Sequence, residues 1–363
     1  MTHIADDSAV AAGEAARRAP VPLPFPTRYR PAARARKHVV DWAGRMRLVN
    51  TDAERARLDS WNFENVVGCF YPDADGDAID LLADWNAYLT LLDDQFDVTT
   101  GFEAPHVVHV ILDMVLDVLY AVPGTNPHPG VQFCDALSDI MRRVAATGAG
   151  PVWLGRLRES TRLFFTAIQQ QSIDHALGTP LDIPTLLSRR RADVGIQMMF
   201  DWNALMRGWE LPVSISETVE FRRMHDALAD VAVMINDVFS AYRERDQIGG
   251  TYSTVILLER GGASHDEANV EVRRLIQHAL DNYLTAKGRI PALLDLMKVD
   301  AATRTGTVQH IADMESVIAG LELLYRNKSG RYDPEAARYS RSVPTHVADW
   351  GFREIATHRA AFS

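Results

Sequence analysis

From Ala33 onward the chain keeps one pattern that admits few folds. Apolar residues recur at three- and four-residue spacing, as in Ile79, Leu81, Leu82, Trp85, Tyr88, Leu89 and Leu92. That period belongs to the helix, which brings i, i+3, i+4 and i+7 onto one face. Proline and glycine fall mainly between the periodic stretches, for example at Pro72, Gly76, Pro105, Gly150-Pro151, Pro212, Gly249-Gly250, Gly261-Gly262 and Pro291. They punctuate helices there, and the intervals predict about ten to twelve of them. No alternating runs are joined by hairpin turns, and no strand–glycine loop–helix unit offers a nucleotide site. The pattern predicts an all-α helical bundle forming a single domain over residues 31–345.

The flanks read differently. Residues 1–30 begin with small and charged residues and end in PVPLPFPTRYRP, whose prolines favour extended backbone. They are expected to form a flexible N-terminal tail, draped over the surface or closing over a site. Residues 346–363 are expected to form a C-terminal extension. The 363 residues carry 38 Lys+Arg against 48 Asp+Glu, a net charge of −10. No basic stripe is present to hold nucleic acid or an anionic membrane, although a phosphorylated small molecule needs only a few local cations. Cys69 and Cys134 cannot build a disulfide framework, and no CxxC zinc spacing exists. Met1–Pro20 lacks the apolar core of a signal peptide, and no later run would make a stable membrane anchor. A cytoplasmic protein is expected.

Two polar motifs interrupt the helical pattern. In Leu91-Leu92-Asp93-Asp94-Gln95-Phe96-Asp97, Asp93 and Asp97 share a helix face, with Asp94 beside Asp93. Three such carboxylates repel unless cations neutralise them, and hard oxygen ligands without His or Cys suit Mg²⁺. An isolated motif of this kind also describes a solvated helix end. In the second motif, Asn236, Ser240 and Glu244 sit at i, i+4 and i+8, one oxygen-bearing stripe over two turns. Arg243 stands beside the last of them. The preceding Val231, Ala232, Val233, Met234 and Ile235 mark this helix as buried, so its polar groups need partners.

Together the motifs resemble those of the bacterial class I terpene synthases. Asp93, Asp94 and Asp97 match the family's aspartate-rich element, and Asn236, Asp237, Ser240 and Glu244 match its (N/D)Dxx(S/T)xxxE triad. Tyr71-Pro72-Asp73-Ala74-Asp75 also looks like a run usual in the family. The resemblance covers roughly residues 22–339 and implies an all-α bundle around a central apolar cavity. It implies a cofactor of three Mg²⁺ ions, held by Asp93, Asp94, Asp97, Asn236, Ser240 and Glu244. A diphosphate-sensing Arg is implied 46 residues before Asn236, at Arg190 within Arg189-Arg190-Arg191, with Asp193 as linker and Val194 as effector. Gly195, one place later, leaves that register open. The family's C-terminal Arg-Tyr pair has two candidates, Arg331-Tyr332 and Arg338-Tyr339, and the first has the closer context.

The implied partner is a linear prenyl diphosphate, most readily farnesyl diphosphate. Its ionisation would be assisted by Arg190, Arg243, Arg331 and Tyr332 as diphosphate donors. A reacting carbocation demands a dry, π-rich wall. Phe70, Phe96, Met198 and Val233 are the main candidates, within a wider set including Phe63, Trp85, Phe164, Phe165, Phe200 and Trp202. Phe96 lies inside the first motif, and Val233 shares the Asn236 face. Geranyl or geranylgeranyl diphosphate is the alternative substrate. A chain-elongating prenyltransferase would need a second aspartate-rich motif where Asn236 stands, and a class II cyclase would need a DxDD. A non-catalytic helical binding protein is the reading from another class. A homodimer is left open beside the monomer.

Overall fold

The computed structural model describes residues 21–96, 104–247, 252–328, 330–332 and 349–360, the side chains of residues 242–247, 328, 332, 359 and 360 excepted. Sixteen α-helices fill these residues and no strand occurs among them. This exceeds the number expected from proline and glycine, in part because two breaks use other devices. Asn62, in the left-handed region at φ 59°, turns the corner between α2 (Asp52–Ser60) and α3 (Phe63–Phe70). The four-residue α10 (Val213–Ser216) is too short to carry a periodic signal.

Three helices are wrapped by the others. In α4 (Gly76–Asp94) nearly every side chain from Ile79 to Leu92 is buried. In α15 (Ala301–Leu323) burial is continuous from Asp313 to Glu322. In α11 (Val219–Gln247) it runs from Val231 to Ile235 and resumes from Asp237 through Ala241. A helix apolar on all sides can only lie inside a bundle. Around them stand amphipathic helices such as α1 (Ala33–Arg45), α5 (Pro105–Tyr120), α6 (Gln132–Ala146), α7 (Pro151–Leu177) and α13 (His265–Lys287). Side-chain caps begin several of the helices. Thr51 and Glu54 close a capping box on α2, and Ser264 and Glu267 do so on α13, each cap contributing about 1 kcal/mol. α7 and α4 are joined through α9 (Ile196–Met206) by Trp202, whose ring packs on Trp153 at 5.2 Å and Trp85 at 5.5 Å. These indoles fill the core.

Both flanks pack further into the domain than expected. Residues 1–20 lie outside the described residues, but Val21 and Phe25 are buried. Phe25 meets Tyr283 edge-to-face at 5.4 Å, and the Val21 amide donates to Glu322 Oε1 at 3.2 Å. The end of the expected tail is therefore a strap across α13 and α15. At the other end, Trp350 stacks on Phe133 and donates its Nε1–H to the Leu48 carbonyl at 3.1 Å. Phe352 opens α16 (Phe352–Ala360) and packs on both Phe133 and Phe96, each at 5.3 Å. The segment expected as an extension thus completes the core beside the end of α4. Its aromatic side chains, which bury large apolar area, explain why.

One buried polar stack gives the fold a pH signature. His310 on α15 lies against Phe221 and Trp209 and faces His225 on α11. Burial, with His225 and Arg156 nearby, pulls the His310 imidazole from 6.5 down to about 3. Unfolded imidazoles take up protons below about pH 6.5 whereas this one stays neutral, so its contribution to stability is lost as pH falls from there toward 3. His310→Gln is expected to lose less stability on acidification than the parent, by up to about 1.4 kcal/mol per pH unit. Thermal unfolding by circular dichroism at pH 7, 6, 5 and 4 measures this, and parallel profiles would contradict it.

Candidate active site

The first motif lies at the end of α4 and the second in the later half of α11, two of the three enclosed helices. Three consecutive arginines then sort themselves among different partners. α8 (Ile183–Asp193) starts on an Asp182 side chain that accepts from the Thr185 amide, which sets its phase. Arg189 pairs with buried Asp174, which also accepts from the Tyr252 hydroxyl. Arg191 forks onto Asp230, at 2.7 and 2.9 Å, with Asp226 at 3.2 Å. Arg190 alone turns to the second motif. Its Nη2 donates to Asn236 Oδ1 and to Asp237 Oδ1, both at 2.8 Å. The 46-residue spacing read from the sequence therefore joins two side chains in direct contact. Asp193 lies 3.5 Å from Arg190. Val194 caps α8, and Gly195 follows at φ 70°, a backbone conformation that L side chains rarely adopt. The break between α8 and α9 thus spans Val194 and Gly195 together.

Within the second motif, neighbours face different tasks. Asp237 is fully buried and accepts from the Thr254 amide and hydroxyl, both at 2.7 Å, besides Arg190. Burial raises the Asp237 carboxyl's pKa, opposed by Arg190 and the Thr254 donors. This carboxylate anchors α12 (Thr254–Arg260) to α11. Asn236 presents its amide the other way, with Nδ2 donating to the Tyr325 hydroxyl at 3.3 Å. Ser240 is buried one turn further on. Glu244 and Arg243 continue the helix, but their side chains lie outside the described residues.

The first motif divides in the same way. Asp94 is fully buried between two guanidiniums, Arg57 on Oδ2 and Arg331 on Oδ1, each at 2.6 Å. Both oxygens are held by arginines, which makes Asp94 an anchor for Arg57 and Arg331. Asp93 retains 35% side-chain exposure and meets Arg331 at 3.2 Å, so it is the carboxylate available to a cation. Asp97 lies outside the described residues, as do Arg338 and Tyr339, and of Tyr332 only the backbone is described. Arg331 is brought to the first motif.

The expected wall residues part company. Phe96 packs on Phe352 in the C-terminal aromatic cluster, which gives it a core role. Met198 is buried, with the Thr161 hydroxyl 3.5 Å from its sulfur, and Phe70 sits edge-on to Tyr71 at 6.1 Å. Val233 is fully buried and lies three residues before Asn236, on the same face of α11. Sequence reading missed Arg57, Trp61, Thr254 and Tyr325. Tyr325 sits in a π-helical turn, Leu324–Lys328, a form enriched at functional sites but without a signature in this sequence.

Asp93, Asn236 and Ser240 present a carboxylate, an amide oxygen and a hydroxyl, an all-oxygen set that fits a hard divalent cation. Among the described residues no group of three or more His, Cys, Asp or Glu is spaced for a metal; two expected carboxylates, Asp97 and Glu244, are not among the side chains described. An all-α bundle that sets two arginines against two oxygen-rich helix motifs is the arrangement that the resemblance to class I terpene synthases implies. Residues 84–282 match the family described as terpene synthase family 2, C-terminal metal binding, and the chain belongs to that family. It is 27% identical to the pristinol synthase of Streptomyces pristinaespiralis, over 87% of this chain and 85% of that protein. It is 28% identical to a 7-epi-α-eudesmol synthase of Streptomyces viridochromogenes, described as cyclising (2E,6E)-farnesyl diphosphate, over 85% of this chain and 90% of that protein. The crystal structure of an α-eudesmol synthase superposes with a TM-score of 0.76 at 25% identity, covering 84% of this chain and 97% of that one. No helix among the described residues is long and apolar enough to cross a membrane.

The division of labour among the arginines is testable. Arg190→Lys is shorter and lacks the planar guanidinium whose Nη2 meets both Asn236 and Asp237, so it is expected to lower diphosphate release about 10–100-fold. Arg191→Lys keeps a charge beside Asp230 and is expected to stay within about threefold of the parent. Initial rates of diphosphate release measure both, and equal losses would contradict the assignment.

Proposed function

We propose that the chain is a Mg²⁺-dependent terpene cyclase that ionises a linear prenyl diphosphate, farnesyl diphosphate above all, and closes the cation to a sesquiterpene. The observation that carries this reading is the pairing of Arg190 with Asn236 on one helix and of Arg331 with Asp93 on another. Each motif thus has a guanidinium hydrogen-bonded to an oxygen expected to take a metal. Mg²⁺, when bound, supplies charge that neutralises the departing diphosphate. Asp93, Asn236 and Ser240 would hold it, with Asp97 and Glu244 from the same motifs.

The chain's own residues supply the remainder. Arg190 and Arg331 donate planar, charge-assisted hydrogen bonds to diphosphate oxygens as negative charge develops there. Tyr325, hydrogen-bonded to the Asn236 amide, holds that amide's oxygen in place. Val194 at the break between α8 and α9 lets the Arg190 helix answer the diphosphate while α9 keeps its packing on α7. Val233 and Met198 present apolar surface to the hydrocarbon, where water would quench the cation. The farnesyl preference is supported by the substrate printed for the eudesmol synthase relative.

Incubation with geranyl, farnesyl and geranylgeranyl diphosphate plus Mg²⁺, followed by gas chromatography–mass spectrometry, tests the reading. Farnesyl diphosphate is expected to give a cyclic C15 hydrocarbon or alcohol and chelation to abolish turnover. Asp93→Ala and Asn236→Ala are each expected to lower turnover at least about 100-fold with helicity unchanged. Absence of diphosphate release from all three substrates would overturn the proposal.

A further inference from the structure

Arg331 does not stand on the bundle by itself. Its guanidinium lies over the Trp61 indole, 5.6 Å from the ring centroid, and Arg57 lies over the same ring at 5.1 Å. Both arginines converge on Asp94, one on each oxygen, at 2.6 Å. Trp61 is only 5% exposed and the Asp94 side chain fully enclosed. Two like charges at such range repel, and they are held here by the carboxylate between them and by the negative face of the indole.

The backbone is shaped to the same end. Arg331 belongs to a single turn, Gly330–Tyr332. A Cβ at Gly330 would collide with the Ser60 carbonyl, so only glycine lets this turn seat against the end of α2. That carbonyl and the Trp61 ring belong to the corner made by Asn62 at φ 59°. Backbone contact, ring and second guanidinium come from one short stretch, residues 57–62, far from Arg331 in sequence, and the counter-ion Asp94 comes from the end of α4.

We propose that Arg57, Trp61 and the Ser60–Gly330 contact form a seat that positions Arg331 for the substrate diphosphate. This rests on the reading of Arg331 as a diphosphate donor. Arg57 and Trp61 are positioning residues, because they act through Arg331 and Asp94. A long, flexible guanidinium is useful in catalysis when its plane is fixed before the charge develops. The seat does this from below, leaving Arg331 in reach of Asp93. The α2–α3 corner therefore belongs to the diphosphate site although it carries none of the metal motif.

The test is a double-mutant cycle on kcat/KM with farnesyl diphosphate and Mg²⁺, using Trp61→Leu, Trp61→Phe, Gly330→Ala, Arg57→Lys and Arg331→Met. Trp61→Leu and Gly330→Ala are each expected to lower kcat/KM about tenfold or more, and Trp61→Phe, which keeps a π-face, to recover most of the loss. In the Arg331→Met background, Trp61→Leu is expected to cost less than about twofold, since the group it positions is gone. Equal losses in both backgrounds, or no loss in either, would overturn the seat. Wild-type protein without turnover would overturn the proposed function instead. The same cycle would then be read from binding of inorganic diphosphate with MgCl₂ by calorimetry, where additive effects, or no binding by the wild type, would overturn the seat as well. Arg57→Lys keeps the charge on Asp94, so its loss of kcat/KM with an unchanged Tm separates positioning from folding.

Discussion

A fully buried carboxylate is the constraint around which this site is arranged. Asp237 lies where no water reaches it, and an unpaired charge there would be strongly destabilising. It is tolerated because Arg190 and two Thr254 donors surround it. Those three residues come from α8, α11 and α12, so satisfying one charge locks three helices around Asn236. Asp94 repeats the solution on the other side, with Arg57 and Arg331 tying α2 and the Gly330–Tyr332 turn to the end of α4. In each motif one acid holds the architecture, and its neighbour, Asp93 or Asn236, is the proposed metal ligand. The pairs are costly to break and specify geometry more than they add stability.

This arrangement also reconciles the acidic net charge with the proposed anionic substrate. The carboxylates nearest the site are neutralised by arginines or set aside for a cation, and the guanidiniums they hold are the groups a diphosphate needs. Local sign is set by placement, and a net charge of −10 is no obstacle to an anionic substrate.

Much of the fold was legible because helical periodicity survives even where both faces are buried, as in α4, where apolar residues simply occur more densely. The helix count fell short where Asn62 turned a corner without glycine or proline. The flanks were misjudged because composition reports chain stiffness and polarity, while Phe25, Trp350 and Phe352 act through a few large rings. At the site, spacing within one helix made the Asp93 and Asn236 stripes visible, and family spacing brought out Arg190. Arg57 and Trp61 were invisible. Trp61 meets Arg331 from the far end of the chain and Arg57 meets Asp94 on another helix, and an arginine four places before a tryptophan on a short helix is an ordinary pattern. Nor does sequence spacing tell which of two adjacent aspartates will be buried between arginines.

A crystal structure grown with MgCl₂ and inorganic diphosphate tests the account most directly. It predicts one diphosphate hydrogen-bonded to both Arg190 and Arg331, with metal on Asp93 and on Asn236, while Asp94 and Asp237 keep their arginine and threonine partners. Metal ligated by Asp94 or Asp237, or a diphosphate seated away from both arginines, would contradict it.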